Sequence, residues 1–230
     1  MTVKTRRLAK SWLPSPGRVR DRVLPLLAAG LLGFLAVCVI LAPAEAQLGQ
    51  LIKLVYVHGA LVMVGLGTFS LAGGLGLVAL VVRRRVWYNG TWAGGLAALI
   101  VWIVYSLSSM AVTGLTWGQV IAWNEPRVRA SALILLAAVV LAIMTRLVGH
   151  RDLTALVNLV MGIVPWILLR RAEAIRHPLD PIGGSQSTSI QLFFGLIVMA
   201  VAGLALVLIA WLWLGAMSRP LSPGEQRGEE

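Results

Sequence analysis

Long charge-free apolar runs alternate with short basic or turn-rich stretches along the whole chain. The runs cover Val23 to Pro43, Leu54 to Val82, Thr91 to about Thr116, about Ala130 to Thr145, Leu153 to Leu169 and about Ile190 to Leu214. A helix crossing a bilayer needs about 20 predominantly apolar residues. The pattern therefore predicts six transmembrane helices, with both termini on one side. The second run is long enough for a helix plus part of its entry loop. The fourth and fifth are short and are expected to tilt or to thin at their ends. Pro165 is expected to kink the fifth.

Composition agrees with this pattern. Of 230 residues, 58% are hydrophobic and only 13% are charged, and mean hydropathy is +0.85. Soluble chains carry about 25% charged residues. A soluble globule and a disordered chain are both excluded. The expected organisation is a basic tail over 1–22, one all-α six-helix membrane domain over 23–215, and a C-terminal tail over 216–230. The single cysteine, Cys38, lies in an apolar run. It excludes an intrachain disulfide, an iron–sulfur cluster and a CxxCH attachment site.

The net charge of +11 acquires meaning only from its placement. Fourteen of the 20 basic residues fall in the tails and in the loops on the same side as the tails. The bias of Lys and Arg toward the cytoplasm makes both termini cytoplasmic and the protein a multi-pass inner-membrane protein. The tail is then a topology signal near anionic lipid, not a nucleic-acid arm. Lys53, Arg127, Arg129, Arg170, Arg171 and Arg176 lie on the opposite side. Ala44-Glu45-Ala46 has the form of a signal-peptidase site. The preceding apolar run of about 20 residues exceeds the usual length of such signals, about 7–15, and the segment is read as a retained span.

No Asp, Glu, Lys or Arg interrupts the core of any span, which argues against an ion-coupled pump. The chain contains no phosphate-binding GxxxxGK[ST], no HExxH and no GxSxG, so no hydrolase machinery is visible. Gly65, Gly67, Gly73, Gly74 and Gly76 crowd the second span and are read as small residues that let helices approach closely. Asn89-Gly90-Thr91 is read as a turn and a helix cap.

Three features on the outer side carry candidate chemistry. His58 lies near the outer end of the second span and His177 in the last outer loop, whereas His150 is a solvated residue of a cytoplasmic loop. Two imidazoles can hold a heme iron from both faces, or can serve as interfacial hydrogen-bonding groups. The outer stretch from Thr113 to Arg127 is apolar and aromatic. Its Trp117 and Trp123 suit either a platform for a planar ligand or an interfacial aromatic belt. Arg127, Arg129, Arg170, Arg171 and Arg176 flank these elements. Their partners are heme propionates, lipid phosphate, or the local carboxylates Glu125 and Glu173.

Together these residues resemble the heme exporter protein C family, cytochrome c assembly proteins of the heme-handling superfamily named for its Trp-Trp-Asp loop. The resemblance extends from about Leu48 to Leu214. Tyr56-Val57-His58 is similar to the family's Tyr-Ile-His. Thr113-Gly114 and Trp117-Gly118 are similar to the Thr-Gly and Trp-Gly that open its Trp loop. Trp123 and Arg127 match the Trp and Arg near that loop's end. Pro165 and Arg176-His177-Pro178 resemble the helix and loop carrying the second histidine.

The resemblance implies heme b as a transported, non-covalent ligand, with His58 and His177 as axial iron ligands. It implies Trp117 and Trp123 as platform and Arg127 and Arg176 as propionate partners. The family role is non-enzymatic heme binding and transport in cytochrome c-type biogenesis. The site would lie on the extracytoplasmic face, with a heme chaperone and ABC-type exporter subunits as partners. The chain departs from the pattern where Val120-Ile121 replaces the adjacent Trp pair. Asn124 replaces Asp, Glu125 is inserted before Pro126, and Arg-Ala-Glu-Ala-Ile replaces a Trp-rich stretch before the second histidine. The other readings are a permease subunit of an ABC-type exporter and a structural membrane subunit without cofactor. The short loops at Arg83–Gly90 and Leu147–Asp152 argue against a coupling helix.

Overall fold

The computed structural model describes residues 15–45, 48–173, 175, 182 and 185–218. It is all-helical among these residues, with six helices long and apolar enough to cross a membrane. They are α1 Pro16–Leu41, α2 Ile52–Val82, α3 Arg85–Trp117, α4 Pro126–Val148, α5 Arg151–Arg171 and α6 Thr188–Met217. The fourth and fifth are the shortest, at 23 and 21 residues.

Helix α2 is the hub. It packs along α3, the first half of α5 and α6, while α1 lies outside against α6 and α4 rests on α3. Small residues set the close approaches. A Cβ on Gly76 would fall 2.5 Å from the Ala155 carbonyl oxygen, and one on Gly73 would fall 3.0 Å from Gly162 Cα. On Gly65 it would fall 2.9 Å from the Trp102 ring. Backbones this close gain dispersion contacts that lipid cannot supply. Gly67 and Gly74 meet nothing within 4 Å, so the close-packing role belongs to three of the five glycines.

One polar node ties three helices together. Asn158 Nδ2 on α5 donates to the Thr91 carbonyl at 2.9 Å, and Thr91 Oγ1 on α3 donates to the Ala72 carbonyl on α2 at 2.9 Å. This corrects the expected turn at Asn89-Gly90-Thr91, which lies inside α3. The reversal occurs earlier, where Arg83 adopts a left-handed φ of 53° and Arg84 is extended. Gly90 serves packing instead, since a Cβ there would fall 2.9 Å from the Trp213 ring.

Two other expectations are corrected. The second apolar run is helical throughout, without an entry loop, and helix starts at Ile52. Helix α1 begins at Pro16, inside the stretch read as tail, with the Ser15 hydroxyl accepting from the Arg18 amide. Helix α5 breaks at Gly162-Ile163, into Arg151–Met161 and Val164–Arg171. Pro165 sits in the first turn of the second half, where its missing N–H costs nothing.

The two ends of the bundle differ. Where α1 begins and α6 ends, the connections are two residues each, Arg83-Arg84 and Gly149-His150. At the opposite end the chain is irregular over 118–125 and runs long between α1 and α2 and between α5 and α6. Loops able to present functional groups thus gather at the end that carries His58.

Candidate functional site

His58 lies in the second turn of α2 and is 7% exposed. An aromatic column leads to it along the α2–α3 seam. Phe69 meets Trp102 edge-on at 5.7 Å, Trp102 tilts over Tyr105 at 4.7 Å, and Tyr105 stacks on His58 at 5.0 Å. Trp102, Tyr105 and Ser108 are three residues apart on α3 and so share one face.

A hydrogen-bond relay orients the imidazole. His58 Nδ1 lies 3.1 Å from Ser108 Oγ, and that hydroxyl donates to the Tyr105 carbonyl at 2.7 Å. A hydroxyl has one proton to give. With it committed to the carbonyl, Ser108 Oγ accepts from His58, so Nδ1 carries the hydrogen. This assignment, made from the bond pattern, makes Nε2 the nitrogen that Ser108 does not engage. A metal-binding histidine is commonly held in this way by the bond at its other nitrogen.

Helix α4 closes the column from the other side. The Trp102 indole N–H donates to the Ser131 carbonyl at 3.1 Å, and the Tyr105 and Ser131 hydroxyls are 2.9 Å apart. Arg127 lies in the first turn of α4. Its Nε is buried and meets no hydrogen-bond acceptor among the described residues. The unpartnered donor is a polar group with capacity for an anion.

The stretch read as a Trp loop is partly helix. Thr113 to Trp117 form the last turns of α3, which end at Gly118 in the left-handed region with φ 70°. Buried Thr113 donates through Oγ1 to the Val120 carbonyl at 2.8 Å and so folds the loop back on the helix. Trp117 is half-buried at the helix end, whereas Trp123 is 58% exposed. Leu115, Val120 and Ile121 are exposed on the same stretch. The exposed apolar surface of this stretch is therefore Trp123 with aliphatic neighbours.

Glu125, read as an insertion, proves to be a clasp. It is 1% exposed, and its Oε1 accepts the backbone N–H of Ile175 at 3.2 Å. A buried carboxylate is stable only where such donors replace water. Further along the same connector, buried Ile182 approaches α2 next to His58. A Cβ on Gly59 would lie 3.9 Å from its Cδ1 and 3.2 Å from the Phe194 ring. Ile175 thus meets the Trp123 loop and Ile182 the His58 helix. Arg176 and His177 lie on this connector, outside the described residues.

Sequence reading missed Tyr105 and Ser108, and offered Glu125 as an arginine partner without its bond to Ile175. The Trp-x-x-Tyr-x-x-Ser spacing marked the face, but nothing in the pattern placed that face against His58. His150 is exposed at the opposite end of the bundle. Among the described residues, no cluster of three or more His, Cys, Asp or Glu side chains could hold a metal ion. The chemistry on offer is one oriented imidazole, an exposed apolar surface and a guanidinium whose Nε has no acceptor among the described residues. No family model matches the chain, and neither does any curated protein.

Proposed function

We propose that the protein binds heme at the His58 end of the bundle and delivers it for cytochrome c maturation. The observation that supports this reading is the Ser108 relay, which engages His58 through Nδ1 and orients the ring as a second-shell partner of a metal-bound histidine does. His177 supplies the second axial ligand in this reading. Trp123 and its aliphatic neighbours cover the porphyrin, and Arg127 and Arg176 meet the propionates. Bound heme would supply the iron that the two imidazoles grip. No substrate bond is broken, so the role is transport and not catalysis. The basic residue bias puts both termini in the cytoplasm and the site on the extracytoplasmic face of the inner membrane. A heme chaperone and ABC-type exporter subunits are the partners that such a role requires.

A second reading rests on the burial of His58. There the imidazole is a satisfied core group joining α2 to α3, and the protein is a structural membrane subunit. Hemin titration of the detergent-purified full chain separates the two, followed by the Soret band. The heme reading predicts that both His58→Ala and His177→Ala weaken binding while the protein stays monodisperse. Unchanged titration curves in both variants would leave the structural reading.

A further inference from the structure

A polar cleft opens at the other end of the bundle, where α3, α4 and α5 meet. Its outer chamber, about 390 Å³, is lined by Arg85, Tyr88, Asn89, Arg146, His150 and Arg151 among others. An inner chamber of about 300 Å³ shares Trp92, Thr145, Arg146 and Thr154 with it as a common wall. The inner chamber is mostly apolar, with Phe69, Leu99, Leu141 and Met161 in its lining. Charge lies at the mouth and hydrocarbon behind it.

We propose that this cleft binds a phospholipid with a net negative head group, phosphate at the arginines and acyl chain in the inner chamber. The mouth brings together three guanidinium groups, which match phosphate oxygens with paired N–H donors. The N-terminus of α5 lies at the same mouth and adds the positive end of its dipole. Asn89 Nδ2 is buried and meets no acceptor among the described residues. It is a donor for which the phosphate supplies the missing acceptor. No described carboxylate lies within ion-pair distance of Arg146. No described carboxylate is in the lining of the outer chamber, and the neighbouring Asp152 accepts the Tyr88 hydroxyl. This site is distinct from the His58 end and stands whether or not heme binds there.

Native mass spectrometry of the full chain in neutral detergent tests the proposal, with phosphatidylglycerol, phosphatidylcholine, diacylglycerol and inorganic phosphate as separate probes. Phosphatidylglycerol should be retained about tenfold better than phosphatidylcholine. Diacylglycerol should be retained more weakly than either. Replacing Arg146→Gln together with Asn89→Leu should abolish the preference. Ala142→Trp, which fills the inner chamber and leaves every charge in place, should reduce phosphatidylglycerol retention and spare any inorganic phosphate binding. Equal retention of the two phospholipids by the unaltered protein would overturn the proposal. So would inorganic phosphate binding as tightly as phosphatidylglycerol, with Ala142→Trp without effect, because the ligand would then be free phosphate.

Discussion

The carboxylate of Glu125 accepts the backbone N–H of Ile175 at 3.2 Å, across 50 residues of sequence and from a side chain almost wholly removed from solvent. This bond joins the loop after α3 to the connector before α6. Hydrogen bonds to charged groups contribute about 1.5–3 kcal/mol. Replacing Glu125→Ala should therefore raise hydrogen exchange of the Ile175 amide and speed proteolysis of the α5–α6 connector, with the helices still protected. Unchanged exchange at Ile175 would mean that the clasp does not hold the connector.

The relay at His58 makes a second prediction. Second-shell partners of a metal-bound histidine are worth about 10–100-fold in metal affinity. Ser108→Ala should weaken hemin binding by that order while thermal stability changes little. Ser108→Thr, which keeps the hydroxyl, should retain most of the affinity. If Ser108→Ala lowers stability and leaves hemin affinity intact, the relay serves packing alone.

Close packing of α2 on α5 gives a third. Gly76→Ala places a Cβ against the Ala155 carbonyl and should cost about 1–3 kcal/mol as the helices part, read as a lower unfolding temperature in detergent. Gly67→Ala meets open space and should leave stability unchanged or raise it by up to about 1 kcal/mol, because alanine is the better helix former. Equal effects at the two sites would contradict the packing described.

The polar node gives a fourth. Thr91→Val and Asn158→Leu each remove the bond from Asn158 Nδ2 to Thr91 Oγ1, 3.1 Å long, that joins α5 to α3. A double-mutant cycle should show a coupling of about 0.6–2 kcal/mol, the range for hydrogen bonds between membrane helices. Additive losses would show that the two side chains act independently.

Much of the fold was legible because lipid imposes a strong pattern. Apolar runs reported all six helices, and Pro165 reported the break in α5. Local turn chemistry was the poorer guide. Asn89-Gly90-Thr91 looked like a turn, yet Gly90 is there for Trp213 and Thr91 for the Ala72 carbonyl. The actual reversal uses Arg83 in a left-handed conformation, which a β-carbon ordinarily disfavours. The site was legible in part. His58 and Trp123 stand out by residue type alone. Glu125, Tyr105 and Ser108 gain their roles from partners 26 to 50 residues away, and no local pattern reports such a partner.

The central claim is iron ligation by His58, and the ligand field of bound heme tests it most directly. Low-temperature electron paramagnetic resonance of the hemin-loaded protein should give a low-spin ferric signal with two imidazole ligands. His58→Ala should lose that signal and regain low-spin character when free imidazole is added. A signal identical in the unaltered protein and in His58→Ala would contradict the account.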